Sequence, residues 1–197
     1  MLRSVIGLEG VAIAAADGEI GRVVDLRFDL ASWAVRGLVV EAGRPTLISP
    51  RLLGPVDDVR RVVPTSLTRA QILASPRPDA DRGAESAREL TEYFALGLDE
   101  EIGRVTDLLV EDQVWAIRHL VVAVDESPGA RRVVVPVGWV SWVSIEARSV
   151  MLALRRSLVR AAPTYGGSGD LPPDDARLAA HYGRAPFVAG VARDSGV

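Results

Sequence analysis

EIGRVVDLRFDLASWAVRGLVV, residues 19–40, returns as EIGRVTDLLVEDQVWAIRHLVV at residues 101–122. The offset is 82 throughout, from Gly21 to Gly103, from Trp33 to Trp115 and from Arg36 to Arg118, and the ungapped alignment is identical at 13 of 22 positions. Identity of that order at a fixed period marks the duplication of one supersecondary unit. Over a chain of 197 residues the period predicts two small domains, residues 1–76 and 89–163. Residues 77–88, opening RPDADRGAESA, read as a linker of Pro, Gly, Ser and charge, and residues 164–197 as a second linker and a tail.

Within each copy the stretch reads as a hairpin of strands. Val11–Ala15 leads through the turn dipeptide Asp17-Gly18 into a strand at Gly21–Phe28, a turn at Asp29–Ser32 and a strand at Trp33–Glu41. A symmetric turn sets Phe28 against Trp33, Leu26 against Val35 and Val24 against Gly37 on one apolar face. On the other face it sets Asp25 against Arg36. The second copy repeats this, with Val110 facing Trp115, Leu108 facing Ile117, Thr106 facing His119, and Asp107 meeting Arg118. The Asp25 with Arg36 and Asp107 with Arg118 pairs are expected as register-fixing ion pairs. Their alternative role is to present Arg36 and Arg118 to an acidic partner. Thr68 and Gln71 stand at capping-box spacing, predicting a short helix from Arg69 to about Ala74. Arg155 takes the place of Thr68 in the second copy, whose helix therefore lacks that cap.

Composition narrows the chemistry. The chain contains no cysteine, which excludes disulfides and thiolate chemistry and fits a reducing, cytoplasmic setting. Arginine is the sole basic side chain; residues 1–82 carry 11 of them against 10 acids, far from the cationic excess of a non-specific phosphate binder. The opening MLRSVIGLEGVAIAA starts like a secretion signal, but Glu9 interrupts the apolar run, so it reads as mature structure. No stretch has the length of a bilayer span. Two histidines, His119 and His181, no phosphate loop and no metal-spaced cluster leave no catalytic, cofactor or metal constellation. Trp139 and Trp142 stand three apart on a strand, so both cannot point inward, and they form the best local candidate for an interaction surface. The tail offers ARLAAHYGRAPF, residues 176–187, as a turn or two of helix docking on a domain, with residues 188–197 disordered.

The pattern DGEIGRVVDLRFDLASWAVRGLVVEAG at residues 17–43, then LISP at 47–50 and LTRAQILASP at 67–76, resembles the PRC-barrel family. That family is named for the photosynthetic reaction centre H subunit, whose cytoplasmic part shares the fold. A related barrel occurs in the ribosome-maturation factor that binds a ribosomal protein. The tail HYGRAPF looks like the ending of stand-alone tandem bacterial members, while Pro64-Thr65 and Met151–Leu158 depart from the pattern. The resemblance implies a small β-barrel used as a docking or assembly surface, without enzyme activity or cofactor.

The sequence thus predicts a mainly β chain of two tandem small antiparallel barrels, each with a short C-terminal helix, related by a pseudo-twofold. Its expected role is a non-catalytic protein-interaction module with an unidentified protein partner, and homo-oligomers are compatible with it. Two other readings stand beside it. One is an RNA- or ribosome-associated factor using a basic edge of Arg131, Arg132, Arg155, Arg156 and Arg160. The other is a small-ligand binder or enzyme using the cleft between the barrels, with Arg36 and Arg118 as anion anchors.

Overall fold

A computed structural model describes residues 1–124, 129–166, 174–183 and 192–193. The chain begins with β1 (Leu2–Ser4) and the single-turn helix α1 (Val5–Leu8). The first copy continues with β2 (Ala12–Ala15), β3 (Gly18–Phe28), β4 (Val35–Glu41), β5 (Pro45–Ile48), β6 (Val62–Pro64) and α2 (Arg69–Ala74). The second opens with β7 (Glu85–Ser86) and α3 (Ala87–Leu90), followed by β8 (Phe94–Leu96), β9 (Glu101–Glu111), β10 (Ala116–Ala123), β11 (Arg132–Pro136), β12 (Val140–Ser144), β13 (Ser149–Leu152) and α4 (Arg156–Arg160). A tail helix α5 (Asp175–Tyr182) and a short β14 (Ala192–Arg193) complete the described elements. Most of the expected disordered segment 188–197 lies outside the described residues, as does 125–128 in the longer loop of the second copy.

The mainly β content and the two short helices α2 and α4 agree with the sequence reading; closed antiparallel barrels do not form. The strands make two open, mixed sheets, β5-β4-β3-β2-β6 and β11-β10-β9-β8-β13-β12-β14. Both copies carry the same parallel pairing, β2 with β6 and β8 with β13, because the strand after the crossover returns beside the first strand in the same direction, and the tail adds a third, β12 with β14. A purely antiparallel expectation followed from reading only the hairpins.

The feature the sequence reading missed is an exchange of segments. The long strands β3 and β9 each have one edge filled by the next strand of their own copy and a second edge shared between two partners. On β9, β8 covers the Glu101–Arg104 end, and β1 pairs with the other end through Leu2 opposite Glu111 and Ser4 opposite Leu109. On β3, β2 covers the Gly18–Arg22 end, and β7 pairs through Ser86 opposite Arg27. The segment preceding the first copy therefore completes the second sheet. Residues 85–90, of which 85–88 fall in the expected linker, complete the first. The buried apolar side chains of both sheets accordingly form one continuous cluster, from Val5, Leu26 and Phe28 to Leu108, Ile117 and Val150.

A serine and an aspartate hold each crossing. Ser4 is the N-cap of α1, accepting from Gly7 N at 2.9 Å, and donates its hydroxyl to Asp107 Oδ2 of the other copy. Asp107 Oδ1 also accepts from Ile6 N at 3.2 Å and from Leu108 N at 2.8 Å. Eighty-two residues on, Ser86 accepts from Glu89 N at 3.0 Å and donates to Asp25 Oδ2 at 2.7 Å, while Asp25 Oδ1 accepts from Arg88 N at 3.0 Å and Leu26 N at 2.7 Å. Each carboxylate thus caps the first turn of a helix contributed by the opposite copy, which satisfies orphan amides and a buried acid together.

This arrangement corrects the expected ion pairs. Asp25 lies opposite Val39 and Asp107 opposite Val121; Arg36 pairs instead with Asp29 at 3.3 Å and Arg118 with Glu111 at 2.8 Å. The hairpin turn runs on to Ala34, closed by Asp29 N donating to Ala34 O at 2.9 Å, because Trp33 takes a left-handed φ of 58° and cannot begin a strand. Phe28 therefore pairs with Val35 and Leu26 with Leu38, and bulges after Val23 and Arg27 shift the register again. Trp115 at φ 50° does the same in the second copy, where Val110 pairs with Ile117 and His119 with Leu109. The repeated glycine of EIGRV has its own cause. A Cβ on Gly21 would lie 2.3 Å from Glu41 O, and one on Gly103 would lie 1.9 Å from Ala123 O.

Removing the bridging hydroxyl tests the crossings. Ser86→Ala leaves Glu89 N without its acceptor and Asp25 with one donor fewer, so it is expected to lower the unfolding free energy by about 1–3 kcal/mol in denaturant titration, and Ser4→Ala to act likewise. Variants as stable as the parent would show that the crossings are incidental.

Candidate functional site at the seam of the two copies

The two hairpin turns meet each other. Ala34 and Ala116 form an antiparallel bridge in which Val35 N donates to Trp115 O and Ile117 N donates to Trp33 O, both at 2.8 Å. These are equivalent residues at the offset of 82, so the two bonds are reciprocal and a local pseudo-twofold passes between the alanines. The left-handed backbone at Trp33 and Trp115, which costs a non-glycine residue about 1–2 kcal/mol, turns each carbonyl to the other copy. Both indoles are buried, and Trp33 stacks on Phe28 with centroids 5.4 Å apart.

Two grooves open beside this seam. The larger, about 630 Å³, is walled by Arg36, Ser49, Pro50 and Arg51 from the first copy and by Gln113, Val114 and Trp115 from the turn of the second. A second, about 420 Å³, shares Pro50, Gln113 and Trp115 and runs along Leu53, Gly54, Pro55 and Asp112. Asp112 is held below the usual carboxylate range: burial pushes it up, but its bonds to the Met1 amine and to Arg3 outweigh that. Neither groove is closed off from solvent.

Of the candidate residues, only Arg36 lines a groove at this seam. Arg118 lies half-exposed on Glu111, outside both grooves. Trp139 ends a 3-10 turn over Val137–Trp139 and packs against the core, while Trp142 lies on β12; both are half-buried and neither is a freely exposed aromatic. The indole Nε1 of Trp139 has no partner among the described residues. The arginines expected as a basic edge are engaged internally. Arg131 donates to Ala162 O and Arg160 O, Arg132 donates to Gly166 O, Arg156 pairs with Glu100, and Arg155 approaches Asp99 at 3.9 Å.

Some polar roles escaped the sequence reading. Asp17, read only as part of a turn dipeptide, and its equivalent Asp99 accept from Arg69 N at 2.7 Å and Arg156 N at 2.9 Å, the first amides of α2 and α4. The Thr68 and Gln71 capping box forms as expected. Asp99 gives the capless α4 its N-terminal acceptor, and these bonds hold its carboxyl below the usual range. The tail helix does dock: Leu178 and Tyr182 are buried, Tyr182 Oη donates to Val134 O at 3.1 Å, and burial pushes the Tyr182 hydroxyl far up. The N-terminal turn of α5 sets Asp175 Oδ1 3.4 Å from Nε2 of the buried His119. Burial holds the His119 imidazole below its ordinary value against the attraction of Asp175, with Arg118 adding to the depression. No cluster of three or more His, Asp or Glu suited to a metal occurs among the described residues.

Comparison with protein-family models and with curated proteins found no match to this chain.

His119 generates a pH prediction. Its folded-state value is depressed relative to an unfolded histidine near 6.5, so its contribution to stability is fully present above about pH 6.5 and declines as the pH falls below it. The thermal midpoint of the parent is expected to fall more between pH 7 and pH 5 than that of His119→Gln. Equal shifts in the two proteins would refute a neutral, buried His119.

Proposed function

We propose that the chain is a non-catalytic protein-interaction module that acts in the cytoplasm, a tandem relative of PRC-barrel units built as open sheets, with the seam as its docking face. The observation that carries this reading is the pair of grooves at the junction of the copies, held by hydrogen bonds reciprocal between the two turns. A preformed surface whose walls come from two interlocked sheets loses little conformational entropy on binding, which suits docking. The PRC-barrel likeness of residues 17–43 and 67–76 supports the same role. Among the described residues no helix is long and apolar enough to cross a membrane. The reading of an RNA- or ribosome-associated factor draws less support, because Arg131, Arg132 and Arg156 already spend donors on protein acceptors.

Affinity capture of the tagged chain from its native lysate, with and without nuclease, separates these readings. The expected result is a defined protein partner that survives nuclease treatment. Recovery of ribosomal components alone, lost on nuclease, would replace the docking reading with the RNA reading.

A further inference from the structure

We infer that the seam groove receives an extended acidic segment of a partner protein, with its carboxylates on Arg36 and Arg51. The inference rests on the interaction reading above and names the chemistry of the partner. The larger groove presents two guanidinium groups, the Ser49 hydroxyl and the Gln113 amide, and no carboxylate lines it. Asp29 offsets part of the Arg36 charge from the turn beside it, at 3.3 Å. Arg51 is exposed and has no hydrogen bond or ion pair among the described residues, so its donors face the groove and solvent.

The duplication supplies an internal control on whether the fold itself demands these groups. Past the longer loop the equivalence between copies moves from 82 to 87, as Arg61 and Arg148, both at left-handed φ, show. The pairings of Leu38 with Ile48 and of Leu120 with Val135 agree. Ser49 and Arg51 then correspond to Pro136 and Gly138, whereas Arg36 corresponds to Arg118. The same 3-10 turn forms in the second copy without a cation or hydroxyl at these places. Arg51 and Ser49 are therefore not required by the fold, and they convert one side of the pseudo-twofold into a basic site that the other side lacks.

Shape selects a chain rather than a compact anion. The larger groove and its smaller neighbour share a wall of Pro50, Gln113 and Trp115, giving an elongated open track with an apolar side and a cationic side. Asp112, the acid on that track, is neutralised by Arg3 and the Met1 amine, so it does not repel an acidic ligand. Guanidinium forks on carboxylates beside an apolar wall are a recurrent means of recognising acidic peptides.

The test titrates the full chain with a fluorescein-labelled peptide of four Glu-Ala repeats, with the Gln-Ala peptide and inorganic phosphate as comparators. The expected result is saturable binding of the Glu-Ala peptide alone, weakened about tenfold or more by Arg51→Glu and within about twofold of the parent in Arg118→Glu on the pseudo-equivalent side. Circular dichroism checks that both variants fold. Equal loss in the two variants would reduce the effect to general charge and overturn the inference. So would binding of phosphate in place of the peptide, or no saturable binding at all. A partner captured from lysate that is retained in full by Arg51→Glu would overturn the groove inference while leaving the interaction reading intact, and absence of any partner would strike at that reading instead.

Discussion

The structure depends on two buried carboxylates that cannot be satisfied within their own copy. Asp25 and Asp107 sit in the middle of the long strands β3 and β9, and each takes a serine hydroxyl and a helix amide from a segment contributed by the opposite copy. Burial pushes the Asp107 carboxyl up despite those bonds. Pulling the copies apart would strand both acids and uncap α1 and α3 at once. The reciprocal bonds at Ala34 and Ala116 add a second junction of the same symmetry. Two units that are each too small for a large core thereby share a single one.

On this symmetric frame the copies have diverged locally. Gly37 leaves room for Leu47, whose Cδ1 would lie 2.6 Å from an added Cβ, whereas its equivalent His119 is large, buried and covered by the start of α5. The five-residue lengthening falls between β10 and β11, after which Arg131 regains the carbonyl contacts that Arg44 makes with Leu73 and Ser75. The first copy instead differs at the seam, where Ser49 and Arg51 replace the bland Pro136 and Gly138. One copy has been modified to receive the tail of its own chain, the other to line the open groove.

Local chemistry was legible in the sequence and long-range pairing was not. The duplication and the Thr68 capping box could be read because each depends on residues close together or on identity at a fixed spacing, and the docking of the tail helix because of its apolar character. The exchange was hidden because Leu2–Leu8 and Glu85–Leu90 share little beyond Ser4 with Ser86 and Leu8 with Leu90, below the level at which a repeat stands out. The signal was present in those two serines at the offset of 82, each followed three residues later by the amide it caps. The register failed for a different reason: tryptophan is not expected at left-handed φ, so a symmetric turn ending at Ser32 was the simplest reading. Once the register moved, the charge pairs of Arg36 and Arg118 moved with it. A cleft between the copies with Arg36 at it was expected, but its remaining walls could not be read, since they come together only where two turns distant in sequence meet.

The central claim is that the exchange makes one cooperative unit of two copies. Native-state hydrogen exchange across a denaturant series measures this directly at Leu26 and Leu38 in the first sheet and at Leu108 and Leu120 in the second, all fully buried and paired. The account predicts that the four amides converge on one opening free energy with one denaturant dependence. Opening of one sheet at distinctly lower denaturant, with the other still protected, would contradict it.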